Sequence, residues 1–114
     1  MYILGRQHAG ESPASFVMEG VISTLLSSRV ESCELRDRFI FKVVPMVNPD
    51  GVVVGNYRTN LSGSDVNRKW DFPAKAIHPE VFHIKRKLAE DRKEVRFFLD
   101  LHAHSRKYTA LNVG

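Results

Sequence analysis

The sequence has a single cysteine and no long apolar run, and both features bear on the compartment in which the protein works. Cys33 has no partner for an internal disulfide, which agrees with a reducing compartment, and we expect a buried structural thiol. No apolar stretch approaches the roughly 20 residues that a membrane-spanning helix needs. The first residues lack the basic segment and apolar core of a secretory signal. We therefore expect a cytoplasmic protein with no membrane partner.

Signatures of nucleic-acid binding are also missing, although the formal net charge is +4. There is no basic region joined to heptads, no pair of zinc-finger cysteines and no aromatic RNA-binding segment. Much of the positive charge lies in residues 85–93, where it is interleaved with Glu90 and Asp91 around the end of a predicted helix. Mixed charge of this kind is typical of a solvated face, so we expect no nucleic-acid partner.

The residues that are present predict one α/β domain. The chain has 114 residues, of which 43% are hydrophobic, and this is within the size range of a single core. Strands are predicted at residues 2–4, 39–44 and 95–101. The first helix is predicted to have Ser12 as its N-cap and Pro13 as its first helical residue, and to end at about Ser28. Further helices are predicted near residues 31–36 and from Pro79 onwards. Residues 45–73 carry so many turn residues that we expect little regular structure there.

His8 and Glu11 are candidate metal ligands. They follow the first predicted strand with a spacing of three, which lets an imidazole and a carboxylate reach one metal from a tight turn. Gly10 between them supplies backbone freedom. A catalytic zinc ion takes three protein ligands, and two histidines with one glutamate are a known peptidase set. His102 ends the third predicted strand, and the carboxyl ends of strands are where an α/β sheet gathers its ligands.

The other histidines have different expected roles. Asp100 or His104 could support the site from beside His102, by orienting a ligand or by facing the substrate. His78 and His83 lie next to or within a charged helix, and we expect both to face solvent. Taken alone, a single His-x-x-Glu spacing is more often a surface pair than a metal site.

Three residues of the long loop are candidates for binding a carboxylate, namely Arg58, Asn67 and Arg68. A planar guanidinium binds a carboxylate through two parallel hydrogen bonds, and a neighbouring amide adds a further donor. Without other evidence, such arginines are more often ordinary loop residues.

Five motif blocks stand in order along the chain: GRQHAGES (5–12), VPMVNPDGV (44–52), GNYR (55–58), DVNRKW (65–70) and DLHAHSRK (100–107). In this order they resemble the zinc carboxypeptidase family, and most closely its cytosolic branch, the tubulin-type deglutamylases. The blocks span nearly the whole chain, so their joint coincidence is far rarer than any single match.

The resemblance implies roles for single residues. His8, Glu11 and His102 match the ligands of one Zn²⁺ ion, and Arg58 matches the arginine that stabilises the oxyanion. The implied reaction is the hydrolysis of C-terminal residues from peptides or proteins. Glutamate-rich tails, such as those of tubulin, are the expected substrate.

The resemblance also implies a substrate clamp and an incomplete domain. Asn67 and Arg68 match the pair that holds the substrate's C-terminal carboxylate. The implied fold is a mixed-sheet α/β/α domain, of which residues 1–114 form the first part. The family's water-activating glutamate follows well after the third ligand, so we expect it beyond Gly114. We therefore expect residues 1–114 alone to bind zinc, to hydrolyse peptides poorly and to expose an apolar face.

Small departures and two alternatives accompany the match. Ala9 stands where proline is more usual, and Ala103 stands where glycine is frequent, but neither replaces a ligand.

A zinc deacylase of the aspartoacylase or succinylglutamate desuccinylase type shares part of the pattern, although the blocks at 48–51 and 56–58 favour the peptidase. A non-catalytic module that holds zinc or an acidic tail without cutting is the other alternative.

Overall fold

The computed structural model describes residues 1–104, which form an α/β fold and confirm the predicted class. The strands are β1 (Tyr2–Gly5), β2 (Lys42–Val44) and β3 (Phe98–Leu101). The α-helices are α1 (Ser12–Leu26), α2 (Val30–Arg38), α3 (Pro49–Val54) and α4 (Pro79–Glu90). A 3₁₀ turn at Val66–Arg68 lies between α3 and α4.

The three strands form a parallel sheet in the order β2-β1-β3. All four residues of β1 are buried, because β1 is paired on both sides and its faces are covered. Leu4 pairs with Val44 on one side and with Asp100 on the other. Since the strands are parallel, the residues that follow β1 and β3 lie at the same edge of the sheet.

Both outer strands are shorter than the sequence predicts, although their positions are right. Strand character was expected from residues 39 and 95, whereas ladder pairing begins at Lys42 and Phe98. Both of these residues pair with Tyr2, the first residue of β1. Residues 39–41 and 95–97 have no register partner in β1, although Phe97 O still accepts a hydrogen bond from Tyr2 N at 2.9 Å. The first residue of β1 therefore sets where the ladder begins.

The first helix begins one residue earlier than predicted. Glu11 is the N-cap residue of α1 and Ser12 is already helical, while Pro13 lies in the first turn as expected. Ala14 and Met18 are the buried residues of the helix. Helix α1 directly follows the turn that carries His8 and Glu11. Burial of Ala14 and Met18 therefore anchors that turn to the sheet.

The long loop contains a short helix that the turn residues concealed. Asn48 caps α3: its side-chain oxygen accepts from Gly51 N at 3.0 Å, and its Nδ2 donates to Thr59 O at 3.1 Å. Pro49 occupies the first turn, and Gly55 ends the helix with φ of 81°. Asparagine, proline and glycine are typical of loops, but here they mark the two ends of a helix.

Two burial predictions are wrong. His78 is buried, because its ring accepts a hydrogen bond from Ala74 N at 3.1 Å and lies 3.3 Å from Ser64 Oγ. Cys33 is only half-buried, and Nη2 of Arg36 lies 3.5 Å from its sulfur atom. His83 is exposed, as predicted.

Large apolar side chains are exposed on α1 and β3, which agrees with the expectation of an uncovered apolar face. Phe16 on α1 is 73% exposed, and Phe98 on β3 is 42% exposed. Within residues 1–104, no strand pairs with the outer side of β3. None of the helices in this part of the chain has the length and apolar character needed to cross a membrane.

Candidate functional site

A tight turn after β1 carries the first two candidate ligands. Arg6 has a positive φ of 58°, which turns the chain sharply out of the sheet. Gly10 N then donates to Tyr57 O at 2.6 Å, and a Cβ atom built on Gly10 would lie only 2.6 Å from that oxygen. The glycine is thus required for close approach between two backbones, whereas the sequence suggested a need for an unusual backbone angle.

His8, Glu11 and His102 converge at the carboxyl ends of β1 and β3. Nδ1 of His8 lies 2.8 Å from one oxygen of Glu11, and Nδ1 of His102 lies 3.0 Å from the other. One potential ligand atom from each residue lies within 4.8 Å of the other two. The side chain of His8 is 5% exposed and that of His102 is 29% exposed, so the cluster opens to solvent on the His102 side.

Each imidazole has an aspartate on its other nitrogen. His8 Nε2 lies 3.0 Å from Asp65 Oδ1, and His102 Nε2 lies 2.7 Å from Asp100 Oδ2. A carboxylate on Nε2 keeps the proton there and turns Nδ1 towards Glu11. Asp100 was one of two residues expected to support the site. Asp65 was missed, although it opens a motif block two residues before Asn67.

Hydrogen bonds keep the site carboxylates ionised. Burial raises the pKa of Glu11, but the hydrogen bond from Ala103 N at 2.9 Å and the two imidazoles bring it below its ordinary value. Burial likewise raises the pKa of Asp65, while Arg58 and His8 lower it by a larger combined effect. Both groups are therefore negatively charged at neutral pH.

The pKa of His102 is shifted upwards, whereas those of Glu11 and Asp65 are lowered. Its hydrogen bond to Asp100 raises its pKa, burial lowers it, and the charges of Asp100 and Glu11 raise it further, so that the net shift is upwards. Because Nδ1 of His102 faces Glu11, a cation at that position would replace a proton.

The long loop brings two of its three candidate residues to the cluster. Arg58 Nε donates to Asp65 Oδ2 at 2.6 Å, so Asp65 joins Arg58 to His8. Asn67 N donates to Asp65 Oδ1 at 3.0 Å, and Asn67 Nδ2 lies 3.5 Å from His102 Nε2. Arg68 is exposed on the 3₁₀ turn, where its Nη1 donates to Asn67 O at 3.3 Å.

The donor set fits one zinc ion. Two imidazole nitrogens and one carboxylate are a ligand set of catalytic zinc sites, which bind at about 2.0–2.2 Å. Two atoms that each lie about 2.2 Å from one ion are at most about 4.4 Å apart, and the candidate ligand atoms here lie within 4.8 Å of one another.

The net charge of the site also favours a divalent cation. Three carboxylates, Glu11, Asp65 and Asp100, face the single guanidinium of Arg58. With both imidazoles neutral, as metal ligands must be, two negative charges are in excess. Asp100 Oδ1 is also buried without a hydrogen-bond partner among the described residues. A divalent cation matches this excess.

Sequence comparisons show which known proteins this chain resembles. The model of the zinc carboxypeptidase family matches residues 1–109. Human cytosolic carboxypeptidase 6 is 42% identical over 92% of this chain, which corresponds to 22% of that protein. Human cytosolic carboxypeptidase 1 is 41% identical over all of this chain and 10% of that protein.

Solved structures share the fold. A metallo-carboxypeptidase from Burkholderia cenocepacia superimposes with a TM-score of 0.83 and 35% identity over 90% of this chain and 28% of that chain. A metallo-carboxypeptidase from Pseudomonas aeruginosa, solved with (2-guanidinoethylmercapto)succinic acid, gives a TM-score of 0.78 and 36% identity over 91% of this chain and 28% of that chain. This sequence thus spans about a quarter of each solved chain, and it belongs to the zinc carboxypeptidase family.

Proposed function

We propose that residues 1–114 are the zinc-binding part of a carboxypeptidase that hydrolyses the C-terminal residue of peptides or proteins. The observation that carries this proposal is the convergence of His8, Glu11 and His102, with ligand atoms within 4.8 Å of one another. These three residues are the proposed ligands of one Zn²⁺ ion. Zinc bound there supplies Lewis acidity at the scissile carbonyl.

Arg58 is the proposed oxyanion-stabilising residue. Its Nε is held by Asp65, and its side chain is 41% exposed, so the rest of the guanidinium can reach a substrate beside the metal ligands. A fixed cation acts most strongly where charge develops in the transition state. We therefore expect replacement of Arg58 to lower turnover more than substrate binding.

Asn67 and Arg68 are the proposed clamp for the substrate's C-terminal carboxylate. Asn67 lies beside His102, and the adjacent Arg68 extends into solvent from the same short turn. A guanidinium next to an amide can hold a carboxylate through several charge-assisted hydrogen bonds. Such contacts form in the ground state as well as the transition state, so their loss raises KM.

The proposed substrate is an acidic, glutamate-rich protein tail in the cytoplasm. Support comes from the motif resemblance to tubulin-type deglutamylases, from the similarity to proteins named cytosolic carboxypeptidases, and from the net charge of +4. We further propose that the water-activating carboxylate lies outside residues 1–114. In support, the carboxylates of Glu11, Asp65 and Asp100 that contact the cluster are each engaged by a histidine.

The test uses the full protein that contains this sequence, purified with zinc. Release of C-terminal glutamate from an acidic peptide is measured for the wild type, Arg58→Ala and Arg68→Ala. Arg86→Ala is the matched control, since Arg86 is an exposed arginine on α4. We expect Arg58→Ala to lower kcat, Arg68→Ala to raise KM, and the control to match the wild type.

Other outcomes would identify the alternatives. Hydrolysis of N-acyl amino acids without C-terminal trimming would establish a deacylase instead. Stoichiometric zinc binding without either activity would establish a non-catalytic module.

A further inference from the structure

We propose that Trp70 and Gln7 position His102 for metal binding through a chain of hydrogen bonds, the Trp70 relay, which runs from Trp70 through Gln7 and Asp100 to His102. The proposal rests on the proposed function, because it takes His102 to be a zinc ligand. Trp70 and Gln7 are positioning residues in it and do not touch the metal.

The relay is continuous and partly buried. Trp70 Nε1 donates to Gln7 Oε1 at 3.1 Å, and Gln7 Nε2 donates to Asp100 Oδ2. Asp100 Oδ2 also accepts from His102 Nε2 at 2.7 Å. Gln7 is completely buried, so water cannot replace a lost partner.

The chemistry of Trp70 fixes the orientation of the Gln7 amide. An indole N–H is a donor only, so it selects the carbonyl oxygen of Gln7 and turns the amide nitrogen towards Asp100. A carboxylate oxygen accepts, so His102 donates to Asp100 from Nε2. Nδ1 of His102 is then the nitrogen that faces Glu11 at 3.0 Å, which is the atom that a metal would bind.

His102 depends on the relay more than His8 depends on its own support. Asp65, which supports His8, accepts from the Arg58 guanidinium and from the backbone of Asn67. Asp100 accepts from the neutral amide of Gln7 instead, and its Oδ1 is buried without a partner among the described residues. Loss of the Gln7 amide therefore removes the donor that orients this carboxylate.

The position of Trp70 links the relay to the substrate loop. Trp70 stands three residues after Asn67, and its ring packs edge-on against Phe98 of β3, with ring centroids 6.2 Å apart. Lys85 of α4 holds the same segment by its backbone, because Nζ donates to Trp70 O at 2.7 Å. The indole N–H and the backbone anchor can therefore be removed separately.

The experiment measures zinc affinity of the full chain by competition with a chelating dye. Trp70→Phe removes the N–H and keeps an aromatic ring against Phe98, while Gln7→Leu removes the central link. Loss of a group that orients a ligand typically costs 10–100-fold in metal affinity, so we expect about 10-fold for Trp70→Phe and up to about 100-fold for Gln7→Leu. The double variant should be weakened no more than Gln7→Leu alone, because both changes break one chain.

A second readout and a matched control separate positioning from general loosening. The visible absorption of the Co²⁺-substituted protein reports ligand geometry, and we expect Trp70→Phe to change it. Lys85→Met removes the backbone anchor of the same segment but leaves the indole hydrogen bond, and it should keep the wild-type zinc affinity and Co²⁺ spectrum. Circular dichroism checks folding, and Trp70→Phe decides the matter if Gln7→Leu does not fold.

The outcomes distinguish the relay from the proposed function. If the wild type binds one zinc ion and His102→Ala weakens it, while Trp70→Phe and Gln7→Leu bind as the wild type does, the relay is wrong and the metal site stands. If Lys85→Met weakens binding as much as Trp70→Phe, segment placement explains the effect and the relay is again wrong. If the wild type binds no zinc, the proposed function itself fails.

Discussion

The two ends of the same three strands differ in how their charges are balanced. At the amino end, Asp91 accepts from the hydroxyl of Tyr2 and from Lys42 Nζ, and Lys87 Nζ lies 3.5 Å from its other oxygen. The acid of this cluster is matched by donors from the chain itself. No external ion is needed to balance that end of the sheet.

At the carboxyl end the chain supplies acids in excess. Glu11, Asp65 and Asp100 share two imidazoles and one guanidinium, that of Arg58. Holding like charges close together is unfavourable unless a cation compensates them. The amino end of the sheet therefore balances its own charges, whereas the carboxyl end, which carries the candidate site, does not. The predictions below run from the largest to the smallest expected effect on this difference.

Removing the shared carboxylate is expected to have the largest effect. Glu11 contacts Nδ1 of both histidines, so Glu11→Gln replaces the one charged ligand with a neutral amide. We expect zinc affinity to fall by more than the roughly 100-fold that is typical of groups behind the ligands. Equilibrium dialysis with zinc checks this, with Glu34→Gln on the exposed face of α2 as the control. Equal affinity for both variants would contradict the assignment of Glu11.

Replacement of Asp65 is expected to have the second-largest effect, because Asp65 contacts both His8 and Arg58. Asp65→Asn keeps the size of the side chain but removes the charge that holds His8 and Arg58. We expect about 10–100-fold weaker zinc binding. In the full protein kcat should fall as well, since Arg58 loses its anchor. If zinc affinity drops while kcat of the zinc-loaded protein is unchanged, Asp65 orients the metal ligand alone.

Gly10→Ala is expected to destabilise the turn that carries the ligands. An added Cβ would lie 2.6 Å from Tyr57 O. The turn that carries His8 and Glu11 must therefore move away from the loop that carries Tyr57 and Arg58. Overpacking of this kind costs about 1–3 kcal/mol in the free energy of unfolding. Gly20→Ala is the matched control, because nothing lies within 4 Å of its Cβ and it sits inside α1. It should stabilise the protein by about 0.5–1 kcal/mol, as measured by urea unfolding.

Sequence patterns predicted the positions of the strands and the convergence of His8, Glu11 and His102 for a physical reason. A buried parallel strand requires a continuous apolar run, and a polar residue directly after it must lie at the sheet edge. His8 and His102 follow from that rule. The ends of β2 and β3 do not, because hydrogen bonding to β1 limits them and β1 contributes only four residues.

Residues whose role depends on the folded loop could not be found in this way. Helix α3 was concealed because Asn48 and Gly55 are typical of turns as well as of helix caps. His78 looked solvent-facing in a charged stretch, yet the loop from Asn60 to Ser64 folds over it. Asp65 contacts His8 and Gln7 contacts Asp100, and only the three-dimensional fold brings these residues together, because they are far apart in sequence.

The smallest expected effect belongs to the amino end of the sheet, where Lys42→Met should change how stability depends on pH. The hydrogen bonds from Lys42 and Tyr2 lower the pKa of Asp91 to about 2. A carboxyl whose folded pKa lies below its unfolded value of about 3.9 stabilises the fold above that value and loses the contribution as pH falls. The wild type should therefore lose this contribution between about pH 4 and pH 2.

Lys42→Met removes a donor and brings the pKa of Asp91 back towards its ordinary value. The difference in urea midpoint between the zinc-free wild type and Lys42→Met should then be constant from about pH 5 to pH 7 and shrink as the pH falls from 4 to 2. Lys75→Met, which removes the same charge from an exposed position, is the control. A difference from the wild type that stays constant down to pH 2 would show that the Lys42 side chain contributes packing rather than charge, and that the amino end is not balanced electrostatically.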